Sequence, residues 1–195
     1  MNHNTLSKTF SSTRTLSVVA LLTAIGILVP IISPFKVIIG PFSWTLGTHI
    51  AIDLALFLSP AAGAFVALAT SLGFFLAGFP LPIVFRAISH VCYVTVAALI
   101  LTKNNQFVLS FWTRTLFNII INSIHGLGEL IVIHYFVQIG FTHLPTNHTY
   151  WISLFLLFGV SPLFHGMIDF EIAYQLLHLL HRHLPFSFTH FPLSR

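Results

Sequence analysis

The chain has 195 residues, of which 56% are hydrophobic and only 6% are charged, and its mean hydropathy is +0.92. Soluble domains carry about 25% charged residues, so this composition excludes that class and indicates an integral membrane protein. The basic residues that give a pI near 9.7 are scattered at the ends of apolar runs. They therefore act as topology signals, and no nucleic-acid partner is expected.

Breaks at Pro, Gly and polar residues divide the chain into six apolar segments, each a candidate membrane-spanning helix. The segments are 16–32, 46–58, 61–76, 81–101, 111–137 and 150–180. The second and third are short, and the Ser59-Pro60 break between them predicts a tight helical hairpin with tilted or partly re-entrant segments. The pattern predicts an all-α membrane protein with six transmembrane helices.

Six spans place both termini on one side of the membrane, and the positive-inside rule then predicts which side. The connections on the side of the termini carry Lys8, Arg14, Lys103, Arg114, Arg182 and Arg195. The opposite side carries only Lys36. We therefore expect cytoplasmic termini, with an N-terminal segment over 1–15, a six-helix transmembrane substrate-binding domain over 16–183 and a tail over 184–195.

Four ionisable residues, Asp53, Arg86, Glu129 and Asp169, lie inside the apolar segments. Each costs about 3 kcal/mol or more in hydrocarbon, so each is expected to face a protein interior or a watery cavity. Arg86 lies in the outer half with His90 one turn deeper on the same helical face. Its guanidinium suits a carboxylate or phosphate ligand, and a structural ion pair between Arg86 and Glu129 is the competing interpretation.

The fifth segment carries one polar stripe, which consists of Asn118, Asn122, His125 and Glu129. We interpret the two asparagines as interhelical hydrogen-bonding residues and the other two as candidates for ligand contact. His49 with Asp53, and His165 with Asp169, repeat an i, i+4 spacing. Either a proton relay or helix-to-helix hydrogen bonding accounts for these pairs, and the second is the simpler.

The connection over 33–44 holds two prolines and aromatic residues, and it is long enough to fold over the bundle as a lid. Trp44, Phe42 and Phe79 are candidates for stacking on an aromatic ligand, although aromatic residues also belong at membrane interfaces. The histidines at 178, 181 and 183 lack a carboxylate or cysteine that would complete a ligand set, so no metal or other cofactor is expected.

No catalytic motif and no Walker loop are present in the sequence, so we expect no enzyme, and any ATP hydrolysis belongs to a partner.

The segment Ala20-Leu21-Leu22-Thr23-Ala24 on the first helix has small residues four apart, which allow another helix to approach closely. Together with the six helices, the long outer first loop, the Ser59-Pro60 break, the Phe85-Arg86 step and the region of Asp169, this segment resembles the substrate-binding S components of energy-coupling factor (ECF) transporters. These are vitamin importers of the bacterial plasma membrane. The resemblance covers essentially the whole chain.

The resemblance implies that the chain binds one water-soluble vitamin in an outward pocket closed by the first loop. It also implies docking through Ala20 and Ala24 onto a transmembrane coupling subunit driven by two ATPase subunits. The regions 42–49 and 73–90 resemble S components for niacin, whose carboxylate Arg86 would suit; pyridoxine, pantothenate and cobalamin are the alternatives. The candidate binding residues are Trp44, His49, Phe79, Arg86, His90, His125 and Glu129.

A hypothesis of another class is a self-sufficient proton-coupled carrier or channel, with His49, Asp53, His165 and Asp169 as titrating groups. It predicts flux through the chain reconstituted alone. A binding component predicts a tight one-to-one complex with a vitamin and no flux without partners.

Overall fold

A computed structural model describes residues 3–45, 47–144 and 149–183, with the side chains of 3–12 and 181–183 excepted. Lys8, His181, Arg182, His183, Arg195 and the predicted tail over 184–195 therefore lie outside the described residues or side chains. The helices are α1 (His3–Ile32), α2 (Ile50–Leu56), α3 (Pro60–Leu76), α4 (Leu81–Lys103), α5 (Phe111–Gln138), α6 (Tyr150–Phe155) and α7 (Ser161–His183). A 3₁₀ turn (Asn105–Val108) precedes α5, and a π-helical segment (Leu156–Val160) joins α6 to α7.

Among the described residues, four helices are long and apolar enough to cross a membrane. They are Thr13–Ile32, Leu81–Lys103, Phe111–Gln138 and Tyr150–Leu180. α3 is apolar but shorter, and α2 has only 7 residues, whereas a bilayer requires about 20. The chain is thus a mostly helical membrane protein, and the count of six spans and the orientation of the termini stay predictions.

The connection after α1 forms a two-stranded hairpin of β1 (Lys36–Ile39) and β2 (Phe42–Thr45), with Lys36 opposite Thr45. Gly40 begins the turn with φ +57°, a left-handed conformation that glycine adopts without strain. Side chains alternate along β2, so Ser43 and Thr45 are buried whereas Phe42 and Trp44 are half-buried. This alternation turns the small polar side chains towards the bundle.

α2 is buried along its length, with Ile52, Ala55 and Leu56 fully enclosed, and it forms the centre of the main core with α3, α4, α5 and α7. The break that follows begins α3 in a regular way. The Ser59 hydroxyl accepts a hydrogen bond from the Ala62 N–H at 3.1 Å, and Pro60 occupies the first helical position. The Ser59-Pro60 break predicted between two helices is therefore confirmed as a helix start.

Glycines allow two pairs of helices to approach closely. A Cβ on Gly73 of α3 would lie 2.5 Å from the carbonyl oxygen of Ile27 of α1, and one on Gly126 of α5 would lie 2.5 Å from that of Gly159. Such contacts between backbones stabilise helix association in lipid by close packing. The second of them sets the π-helical segment, and hence α7, against the polar stripe of α5.

Two features of the bundle bear on the topology predictions. Ala20 and Ala24 of α1 are exposed, because the face of α1 that packs on α3 is the one that carries Leu22 and Gly26. Arg114, interpreted from the sequence as part of a cytoplasmic connection, instead lies in the first turn of α5 and is buried. Its Nε and Nη2 donate to the two carboxylate oxygens of Glu171 at 3.0 and 3.1 Å, which ties α5 to α7.

Candidate functional site

The centre of the polar interior is the ion pair between Arg86 of α4 and Glu129 of α5. Nε of Arg86 donates to Oε2 of Glu129 at 3.0 Å, and Nη2 donates to the same oxygen at 2.5 Å. Both side chains are about 97% buried. The ion pair between Arg86 and Glu129, one of the two interpretations of the sequence, is therefore present. It explains how both charges can be buried in the bundle.

The remaining guanidinium donors of Arg86 reach the hairpin. Nη1 donates to the carbonyl oxygen of Pro41 at 3.0 Å and to Oγ of Ser43 at 3.4 Å, and Nη2 faces the carbonyl oxygen of Ser43 at 3.5 Å. With the Glu129 contacts, these account for all five N–H groups of the guanidinium. The hairpin thus lies over the bundle and is fastened to it by Arg86.

His90 and His125 lie on the other side of Glu129. Nε2 of His90 lies 3.2 Å from Oε1 of Glu129, and Nε2 of His125 lies 3.3 Å from that oxygen. The two Nε2 atoms are 3.2 Å apart. Arg86 and His90 of α4 and His125 of α5 therefore all contact the carboxylate of Glu129.

His49, at the start of α2, pairs across the bundle. Its Nδ1 lies 3.1 Å from Oδ2 of Asp169 on α7, while the Tyr93 hydroxyl donates to Oδ1 of Asp53 at 3.2 Å. His165 faces the Ser161 carbonyl oxygen through Nδ1 at 3.2 Å. His49 is thus hydrogen-bonded to Asp169 and not to Asp53, its i+4 neighbour. This contact joins two helices, as the simpler of the two interpretations predicted.

A cavity of about 20 Å³ lies between the hairpin and these side chains, which is room for about one water molecule. It is lined by Ser43, Thr45, Thr48, His49, Phe74, Ile83, Arg86, Ala87, His90, Glu129 and His165. Three of its buried polar atoms have no hydrogen-bond partner among the described residues: Oγ1 of Thr45, Nε2 of His49 and Nδ1 of His90. Buried polar atoms without partners are costly, so their concentration around one cavity indicates a place for a polar ligand.

The chain is similar to the niacin transporter NiaX of Lactococcus lactis subsp. cremoris (strain MG1363), with 38% identity over 173 residues. The alignment covers 88% of this chain and 77% of the relative. The chain belongs to the S components of ECF transporters. No family model and no solved structure matches it.

Membership of this family shows that the chain is a component of a vitamin transporter. It also favours a role in membrane transport over an enzymatic role. The self-sufficient carrier hypothesis is not favoured by the relationship. His49, Arg86, His90 and Glu129, predicted as binding residues, all line the cavity, and His125 lies directly behind them.

Two predicted residues of this S component lie apart from the cavity. Trp44 is half-buried on the opposite face of β2 from Ser43 and Thr45, and it is not among the described residues of the lining. Phe79 is buried against Phe74, with the ring centroids 4.9 Å apart, and it also lies outside the described lining. Phe74 therefore separates Phe79 from the space where a ligand would stack.

The small polar residues of the lining, Ser43, Thr45 and Thr48, were not predicted from the sequence. The signal was present, because Phe42-Ser43-Trp44-Thr45 alternates in polarity with the period of a strand. Treating 33–44 as an irregular loop favoured its aromatic residues instead. The partner of Arg114, Glu171, was also missed, and only the packing of α7 on α5 brings it close.

Proposed function

We propose that this S component binds niacin in the cavity beneath the hairpin and delivers it inward with an ATP-driven ECF module. The observation that carries the proposal is the 38% identity to a niacin transporter over most of the chain. The cavity supports it, because a guanidinium, imidazoles and hydroxyls converge there in an otherwise apolar protein. A pyridine carboxylate needs a cation for its carboxylate and a hydrogen-bonding partner for its ring nitrogen.

Arg86 is the proposed partner of the carboxylate. Glu129 holds Nε and one hydrogen of Nη2, whereas the remaining donors face Pro41 and Ser43 of the hairpin. Movement of the hairpin would both widen the cavity, which now has room for about one water molecule, and free those donors for a carboxylate. The hairpin therefore serves as the lid of the site.

The ring nitrogen and ring faces of niacin would meet the other side of the cavity. His49, Thr45 and His90 each present a buried polar atom that lacks a hydrogen-bond partner within the described ranges. The ring nitrogen of nicotinate accepts, so a hydrogen bond donated to it by the Thr45 hydroxyl or by Nδ1 of His90 would remove the cost of leaving that group unpaired. His165, whose ring centroid lies 4.9 Å from that of His49, closes the cavity beside them.

The rest of the transport cycle depends on the membrane topology and the partners. We propose a multi-pass protein of the bacterial plasma membrane with six spans and cytoplasmic termini, which places the hairpin and the cavity on the outer side. The exposed Ala20 and Ala24 would dock on the transmembrane coupling subunit, because small residues permit close helix approach. Two partner ATPases would hydrolyse the ATP.

The test is titration of the purified full-length chain in detergent with nicotinate, by calorimetry. We expect one-to-one binding, weakened at least tenfold by Arg86→Lys, which keeps the positive charge but loses the bidentate fork. Lys36→Gln, which changes an exposed cation on β1, is the matched control and should bind as the native chain does. Native protein that fails to bind nicotinate would overturn the cargo, and equal binding by Arg86→Lys would overturn the role of Arg86.

A further inference from the structure

Three imidazole rings from three different elements converge beside the cavity. His49 precedes α2, His90 lies on α4 and His125 lies on α5, and all three are at least 97% buried. One ring nitrogen from each can be chosen so that the three atoms lie within 4.8 Å of one another. Lone pairs of buried imidazoles that face one another repel, so shared protons or a bound cation must offset that repulsion.

The hydrogen bonds behind His125 determine which of its nitrogens carries the proton. Asn118 donates through Nδ2 to the Met167 carbonyl oxygen at 3.0 Å, and Asn122 donates through Nδ2 to the Asn118 carbonyl oxygen at 3.1 Å. These bonds orient the Asn122 amide so that its Oδ1 faces Nδ1 of His125 at 3.3 Å. Because Oδ1 only accepts, Nδ1 of a neutral His125 donates to it. Nε2 then turns a lone pair towards Oε1 of Glu129, at 3.3 Å, and a cation between these two acceptors would remove their repulsion.

The same reasoning applies to His49. Its Nδ1 faces the Asp169 carboxylate at 3.1 Å, and a carboxylate accepts hydrogen bonds, so the proton of the neutral ring lies on Nδ1. Nε2 then carries a lone pair, and it is buried with no hydrogen-bond partner in the part of the chain that the structure describes. A histidine backed by a carboxylate on one nitrogen and bare on the other has the usual arrangement of a metal ligand and its supporting residue.

The distances between the inward atoms fit a tetrahedral ion. Metal–nitrogen bonds of about 2.0–2.1 Å place neighbouring ligand atoms of a tetrahedral site about 3.4 Å apart. Nε2 of His90 and Nε2 of His125 are 3.2 Å apart, and each lies 3.2 to 3.3 Å from Oε1 of Glu129. These three atoms already have the spacing of neighbouring ligand atoms in such a site, and a ring nitrogen of His49 lies within 4.8 Å of one from each of His90 and His125.

We propose that His49, His90 and His125 form a binding site for a divalent first-row transition-metal ion of the zinc type, with Oε1 of Glu129 beside it. Neutral imidazoles select this class of ion, whereas Mg²⁺ and Ca²⁺ prefer sites made of oxygen ligands. The adjoining cavity, with room for a body the size of one water molecule, is lined by His49, His90 and Glu129, so the ion would lie next to the site of the vitamin. The metal site stands on the protein's own residues and does not depend on the identity of the vitamin.

The test uses the full-length chain purified in detergent through a tag without histidine, with no vitamin added. We expect one Zn²⁺ per chain after equilibration with excess ion and desalting, measured by elemental mass spectrometry. Co²⁺ in its place should give the visible absorption of a tetrahedral nitrogen-ligated ion. Native protein that retains no metal, or Co²⁺ whose spectrum is that of the hexa-aqua ion, would overturn the proposal.

Variants locate the ion. His49→Ala and His90→Ala should weaken Zn²⁺ binding at least 100-fold, and Asn122→Ala, which removes the support of His125, about 10- to 100-fold. His143→Gln replaces an exposed histidine and is the matched control, with native affinity expected. Metal retained at full stoichiometry and affinity by His49→Ala and His90→Ala would place the ion elsewhere and overturn the site. The native protein is measured directly, so the proposal can be overturned even if a variant misfolds. Calorimetry with nicotinate on protein stripped of metal by a chelator separates a failure of the metal site from a failure of vitamin binding.

Discussion

Oδ2 of Asp169 faces both Nδ1 of His49, at 3.1 Å, and the backbone N–H of His49, at 3.3 Å, although 120 residues separate the two in sequence. One carboxylate oxygen therefore positions both the start of α2 and the imidazole that lines the cavity. Because α2 is too short to cross a bilayer, its placement depends on such contacts and on its buried packing.

Replacing Asp169 by Ala should destabilise the protein by about 1–3 kcal/mol, because two buried N–H groups of His49 lose their acceptor. Asp169→Asn keeps an oxygen that accepts and should cost clearly less. Thermal unfolding of both variants in the same detergent measures the difference. Equal melting temperatures for the two variants would show that the oxygen of Asp169 does not hold α2.

A double-mutant cycle on Arg86 and Glu129 should give a large coupling. Arg86→Met alone leaves a buried carboxylate unpaired and should cost about 3–5 kcal/mol, whereas adding Glu129→Leu should recover part of that loss. The comparison is the cycle on Arg114 and Glu171, where the glutamate side chain is 41% exposed and the coupling should stay near or below about 1 kcal/mol. Additive effects at Arg86 and Glu129 would contradict the observed pairing.

Gly166→Ala should disturb the support of His125. A Cβ at this position would overlap Oδ1 of Asn122 and lie 2.9 Å from Nδ1 of His125, so both side chains must move. We expect a loss of about 1–3 kcal/mol in unfolding free energy and weaker nicotinate binding in the calorimetric titration. Gly159→Ala, whose Cβ would meet no atom closer than 3.4 Å, is the matched control and should change binding little. Native binding by Gly166→Ala would show that the orientation of His125 is unimportant for the vitamin.

Leucine at Ala20 or Ala24 should leave nicotinate binding intact and abolish uptake by cells that contain the ECF module. Both alanines are exposed, so the larger side chain is accommodated in the isolated chain but obstructs a closely packed partner helix. Cys92→Leu enlarges an exposed small residue on α4 and should keep uptake. Uptake of labelled nicotinate checks this, and transport at the native rate by both alanine variants would exclude the docking face.

Apolar runs and their Pro and Gly breaks were enough to place the helical regions, because the membrane environment imposes long apolar segments on a chain. The spacing of Asn122, His125 and Glu129 correctly predicted one buried polar face. The partner of His49 could not be predicted in this way, since Asp53 lies at the favourable spacing whereas Asp169 becomes the partner only when α7 packs on α2. Pairing between helices is set by packing distances that no local pattern encodes.

In the proposed mode of binding, an incoming carboxylate requires the two guanidinium nitrogens of Arg86, Nη1 and Nη2, that contact the hairpin carbonyls. The closed hairpin would then compete with the anion, and the apparent affinity would equal the intrinsic affinity reduced by the fraction of molecules that are open. Ser43→Ala removes one of the contacts that keep the hairpin closed. Loosening the hairpin in this way would speed capture of the cargo and shorten its retention, so these few hydrogen bonds would set the residence time of the cargo as well as its affinity.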